Sequence, residues 1–164
     1  ESTKATSVVR DKELGSFSNM IYMNTEKQTS TMQIASQPES INQVEKLIDE
    51  IKAENNLHEE CYGNILVAVT EAVNNAIQHG NKYDADKKVN ISFEVDPDQI
   101  AFTISDEGQG FDYMNLPDPT DPVNLEKPTG RGVFLMKHLA DQIIFSENGR
   151  VVELYFKTSG HIAE

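Results

Sequence analysis

Long apolar runs are missing from this sequence of 164 residues. Asn, Glu, Lys or Asp breaks every apolar stretch well short of the ~20 residues that a bilayer-spanning helix needs, which excludes a membrane span. Cysteine is nearly absent. Cys61 stands alone among Tyr62, Ile65 and Leu66, so no intramolecular disulfide can form and the thiol reads as a small buried hydrophobe. His58, His79, His138 and His161 have neither the paired spacing nor the cysteine companions of a zinc site, so no structural metal is expected. Nothing resembles a signal peptide, and the expected compartment is the cytoplasm. Positive charge is scarce, with 14 Lys and Arg against 27 Asp and Glu and a net charge of −13. Such a chain repels a phosphate backbone, which argues against a nucleic-acid partner. The acidity suits either solubility alone or a basic partner surface. There is no internal repeat, no Rossmann G-x-G-x-x-G and no Walker G-K-[ST].

What is present suffices for one domain. Residues 1–27 are polar and aperiodic, with Lys4, Arg10, Lys12 and Lys27 among Ser and Thr, and read as a flexible or tag-derived leader without function. Residues 28–158 carry the ordered pattern and 159–164 form a tail. Loose alternation predicts a strand over 29–36, with Ser36 or Ser40 as cap of the helix that follows. Ile41, Val44, Leu47, Ile48 and Ile51 recur at helical spacing and predict an amphipathic helix ending near Asn55 and Asn56. A second helix, over about 58–79, has little polar circumference and is expected to be buried on more than one side, with Gly80 closing it. Strict alternation predicts strands over 89–95 and 100–105, joined by the Asp96-Pro97-Asp98 turn. Residues 106–128 hold four of the six prolines, and so long an irregular connection is either disordered or functional. A helix over 133–140 and a hairpin of strands at 143–146 and 151–156 complete the chain. Strands arriving as adjacent hairpins predict an α+β fold: a two-layer α/β sandwich with a mostly antiparallel sheet and helices on one face.

Three short motifs hold residues suited to chemistry. Glu71 and Asn75, four apart, share one face of the apolar second helix. A carboxylate and an amide there suit either polarisation of a hydroxyl beside a hard cation, or a structural pair capping buried backbone. Asp106-Glu107-Gly108-Gln109-Gly110 follows a strand end, where Asp106 can accept a hydrogen bond from an exocyclic amine and Gly108 and Gly110 let backbone approach a ligand. The same residues also make an ordinary wide turn. Thr129-Gly130-Arg131-Gly132 stands just before a helix and is either an anion site at the positive helix end or a plain capped start. Arg131 is placed to touch phosphate or to point to solvent.

Taken in order, a helix bearing E-x-x-x-N, a strand ending in D-x-G-x-G, a proline-rich connection and T-G-x-G at a helix start resemble the Bergerat (GHKL, histidine-kinase-like) ATP-binding fold. That fold is shared by DNA gyrase, the 90-kDa heat-shock chaperones, sensor histidine kinases and MutL. Within it, the run EAVNNAIQHG from Glu71 to Gly80 looks most like the anti-sigma-factor serine kinases. The resemblance spans about residues 29–158. It implies ATP and Mg²⁺ as cofactors, Asn75 as the Mg²⁺ ligand and Glu71 as base on the attacking hydroxyl. It also implies Asp106 on the adenine amine, Gly108 and Gly110 shaping the base pocket, a mobile lid over the phosphates between Gly110 and Gly130, and Thr129, Gly130, Arg131 and Gly132 as nucleotide-binding residues, the two glycines giving the lid room to approach. The implied function is a protein serine/threonine kinase that binds a sigma factor and phosphorylates a small anti-anti-sigma protein, acting as a homodimer. Two departures stand out. Pro128 falls where some relatives carry an arginine that assists at the γ-phosphate, with Lys127 and Arg131 beside it. After Gly149 come Arg150, Val151 and Val152, where many relatives carry a threonine near the adenine. The first leaves open an alternative, a nucleotide-gated binding module without significant kinase activity. A histidine-kinase catalytic domain is disfavoured because no helical segment offers a dimerisation stalk with a phosphoacceptor histidine.

Overall fold

In the computed structural model, residues 27–116, 118, 120–124 and 130–158 are described. Five strands form one antiparallel sheet: β1 (Gln28–Ala35), β2 (Lys88–Val95), β3 (Gln99–Ser105), β4 (Gln142–Ser146) and β5 (Val151–Lys157). Their spatial order is β1-β2-β3-β5-β4. The helices are α1 (Ile41–Asn55), α2 (Glu59–Asn75) and α3 (Arg131–Leu139). The expected α+β sandwich is the architecture observed, because the central strands β2, β3 and β5 bury every second residue. Val89, Ile91, Phe93 and Val95 of β2 are buried on one face, in register with Ile100, Phe102 and Ile104 of β3 and with Val152, Leu154 and Phe156 of β5. The residues between them, such as Asn90, Ser92, Glu94, Thr103 and Glu153, form the other face.

The apolar sheet face is covered by the helices. α2 is the spine of the layer: Ile65, Ala68, Val69, Ala72 and Val73 are no more than 2% exposed, and α2 packs on α1, α3, β3 and β5. It starts at His58, whose Nδ1 accepts the Glu60 N–H at 3.3 Å, and Glu59 and Glu60 sit at the positive helix end. α1 stops at Asn56, which takes the left-handed conformation (φ 49°, ψ 49°) that asparagine tolerates at a helix end. The β2–β3 turn forms as expected, with Asp96 Oδ1 accepting from the N–H groups of Asp98 and Gln99, both at 2.9 Å.

Two local expectations are corrected. Neither Ser36 nor Ser40 caps a helix through its side chain. Ser36 Oγ instead donates to the Lys87 carbonyl at 2.6 Å, and a short 3₁₀ turn, Pro38–Ser40, runs directly into α1. The last helix begins at Arg131, two residues before the expected start. Gly130 (φ 93°) breaks the chain direction there, so Arg131 and Gly132 belong to the first turn of α3.

Candidate functional site

The far end of α2 changes pitch. After Asn75 the helix widens into one π turn, Ala76–Gly80, closed by the Asn81 N–H on the Ala76 carbonyl at 2.8 Å. Such turns are rare and often mark functional sites. This one brings Asn75, His79 and Gly80 to the edge of a cavity of about 190 Å³. Ile104 and Val152 of the sheet, Val133 and Met136 of α3, and Phe145 of β4 give the cavity apolar walls. Phe145 belongs to an aromatic group, edge-on to Phe111 at 5.7 Å between ring centres and stacked on Tyr113 at 4.8 Å. Asp106, Arg150 and Gly110 supply polar atoms to the lining.

Of the residues singled out in the sequence, Asn75, Asp106, Gly110 and Gly130 line this cavity together. Glu71 and Gly132 meet beside it. A β-carbon placed on Gly132 would stand 3.0 Å from Glu71 Oε2 and 3.1 Å and 3.2 Å from the Asn75 amide atoms. The first turn of α3 therefore lies over the E-x-x-x-N pair, and no described side chain caps its amides. Glu71 and Asn75 are partly buried, and no described residue hydrogen-bonds either side chain. That disfavours the structural pair capping buried backbone. Arg131 is exposed on the outer side of α3 and is not part of the cavity lining. Thr129 lies outside the described residues, as do Lys127 and Pro128.

The D-x-G-x-G loop is suspended from the β4–β5 hairpin. The Asp106 N–H donates to the Arg150 carbonyl at 3.0 Å and the Phe111 N–H to the Asn148 carbonyl at 2.8 Å. Gly110 has φ 83°, and a side chain there would overlap the Asn148 carbonyl as well. Gly108 lies buried against the Gly80 carbonyl, beneath the cavity and not within its lining. Its N–H donates to Asp106 Oδ1 at 2.8 Å, which turns the carboxylate inward. Burial pushes the Asp106 carboxyl above its ordinary value of 3.8, opposed by the Gly108 N–H and by the positive charges of Arg150 and Lys87.

Sequence reasoning missed Gly80 as a site residue. Any side chain at Gly80 would overlap the Asp106 carboxylate, so the close approach of α2 to this loop depends on it. It missed Arg150, Met136, Phe145 and His79 as lining, because apolar walls carry the same pattern as core and an exposed His or Arg carries none. A free amide oxygen at Asn75, a carboxylate one turn away and uncapped helix amides opposite make a donor set for a hard cation and an anion. A half-buried carboxylate in an apolar slot is an acceptor for an amine-bearing ring.

The profile of the family described as "Histidine kinase-like ATPase domain" matches residues 34–156. The chain is 33% identical over 96 residues to the serine-protein kinase RsbW of Staphylococcus epidermidis, covering 54% of this chain and 60% of that one. It is 27% identical over 118 residues to RsbW of Oceanobacillus iheyensis, covering 68% and 75%. It thus spans about three fifths of the length of the first of these relatives. Among solved structures, the RsbU and RsbW domains of Rv1364c from Mycobacterium tuberculosis share its fold, with a TM-score of 0.52 at 10% identity over 79% of this chain and 31% of that one.

Proposed function

Because the chain belongs to the histidine kinase-like ATPase domain family, we propose that it is an ATP-dependent protein serine/threonine kinase of the anti-sigma type. The observation that carries this reading is the convergence of Glu71 and Asn75 under Gly132, beside a cavity whose polar acceptor is Asp106. In this reading the adenine ring enters the apolar slot and gives its amine to Asp106. The phosphates extend past Asn75 toward the first turn of α3, where Gly130 and Gly132 border them. Asn75 would hold Mg²⁺ through its amide oxygen, and the bound ion would neutralise charge that accumulates on the phosphates. Glu71 takes the proton of a serine hydroxyl as that oxygen bonds to the γ-phosphorus and ADP leaves. Transfer of this kind is chiefly positioning and charge neutralisation, so one base and one cation suffice.

The partners that fit are a sigma factor, bound when nucleotide is loaded, and a small anti-anti-sigma protein that receives the phosphate. Two relatives named serine-protein kinase RsbW support transfer of the phosphate to serine. A sigma-factor partner would place the chain in the cytoplasm and the family resemblance suggests a homodimer. Among the described residues no helix is long and apolar enough to cross a membrane. Pro128, standing where some relatives have arginine, favours a second reading in which nucleotide only switches partners and no phosphate moves.

Labelled ATP, incubated with the chain and a candidate anti-anti-sigma protein, separates the two. The kinase reading expects label on serine of the partner, abolished in Glu71→Gln while Mg–ADP still raises the melting temperature of that variant. Undiminished transfer by Glu71→Gln would remove Glu71 as the base. Binding of nucleotide without any transfer by the wild type would leave the switch alone.

A further inference from the structure

Asn81, just past the π turn, is 1% exposed, and both polar atoms of its side chain are bonded. Its Oδ1 accepts the Glu107 N–H at 2.8 Å. Its Nδ2 donates to Ser36 Oγ at 2.9 Å and to the Lys88 carbonyl at 3.0 Å. An asparagine that merely makes a turn stays at the surface and bonds backbone two residues away. This one reaches 45 residues back, to the end of β1, and 26 residues forward, to the loop that carries Asp106. Four segments meet on it: the end of α2, the exit of β1, the entry to β2 and the D-x-G-x-G loop.

The last link bears on the cavity. The Asp106 N–H is held by Arg150, and the next N–H along the chain, that of Glu107, is held by Asn81. With the peptide units on both sides of Asp106 fixed, its Cα–Cβ direction is set, and the Gly108 N–H on Oδ1 then turns the carboxylate inward. The Glu107 side chain adds an outer tether by accepting the Lys88 N–H. Resting on the reading of the cavity as a nucleotide site, we infer that Asn81 is a positioning residue for nucleobase recognition. It aims the Asp106 carboxylate by holding the Glu107 N–H.

Ser36→Ala is the matched control, since it breaks the network on the side away from the loop. In Asn81→Ala, Mg–ADP is expected to bind about tenfold more weakly or worse, as loss of a buried hydrogen-bonded anchor implies. In the nucleotide-free chain, amide hydrogen exchange over residues 106–110 should accelerate in the same variant. Ser36→Ala should lower stability while its Mg–ADP affinity stays within about twofold of wild type and its exchange over 106–110 is unchanged. Asn81→Ser, whose shorter hydroxyl cannot span all three partners, carries the same test if the alanine variant does not fold. Wild-type affinity in Asn81→Ala, or an equal loss in Ser36→Ala, overturns the positioning role. A wild-type chain that binds no Mg–ADP refutes the nucleotide reading. The exchange arm then decides the positioning role alone: faster exchange confined to the Asn81 variants sustains it, and unchanged exchange overturns it.

Discussion

A carboxylate that is to accept a hydrogen bond from a heterocyclic amine must be dry enough to bind strongly and wet enough to stay ionised. Asp106 stands at that compromise. Burial raises its pKa above 3.8, while the Gly108 N–H and the charges of Arg150 and Lys87 pull the other way. The folded chain therefore holds a proton at pH values where the unfolded chain has already released it. Stability contributed at this position falls as pH climbs from the ordinary carboxylate value through the raised one, and the penalty persists at neutral pH. Asp106→Asn keeps the acceptor for Gly108 and removes the charge. Its melting temperature should exceed that of wild type by a margin that is small near pH 4 and grows toward neutrality, in a calorimetric series across that range. Affinity for Mg–ADP should move oppositely, about tenfold weaker in the variant, since a charged acceptor is worth roughly 1.5–3 kcal/mol. Wild-type affinity should itself decline as pH falls through the raised pKa. A margin independent of pH would show that desolvation of Asp106 has been overstated.

At the scale of elements, α2 and α3 make the site by lying close. Gly132 is the contact point, and it is a glycine inside a helix, where alanine is favoured by about 1 kcal/mol. The three atoms nearest an added β-carbon are the far ends of Glu71 and Asn75, at 3.0–3.2 Å, and no described residue hydrogen-bonds either side chain. Gly132→Ala should then fold at least as stably as wild type by urea titration, while phosphotransfer drops at least about tenfold if Glu71 and Asn75 are, as proposed, the base and the metal ligand. A destabilised variant would show that the helices cannot adjust. This tension between propensity and site is also why the elements were easier to read than the site. Val89 to Val95 and Ile41 to Ile51 announce their structure by period, and their bounds fall within a residue or two of expectation. The start of α3 slipped because a positive φ at Gly130, not the apolar period, ends the loop. The tie between Asn81 and Ser36 was illegible, because an asparagine after a glycine reads as a turn and its partner is 45 residues away.

At the scale of the whole molecule, charge is the dominant imbalance. The net value is −13, and α1 alone exposes Glu45, Asp49, Glu50 and Glu54. The described ion pairs, Lys27–Glu94, Lys52–Glu59 and Arg150–Glu147, lie at the surface, where such pairs contribute little. Repulsion among unpaired acids should therefore outweigh attraction, and its range is set by salt. Between about 10 mM and about 150 mM NaCl the Debye length shrinks from roughly 30 Å to roughly 8 Å. The nucleotide-free chain should gain a few degrees in melting temperature over that interval, given about 2–4 °C per kcal/mol for a chain of this size. The same field draws a basic partner toward the surface, so its association rate should fall as salt rises. One cause thus yields opposite responses, a firmer fold and a slower encounter. A melting temperature that fell with salt would place the net electrostatic term among the attractive ones and remove the reason to expect steering.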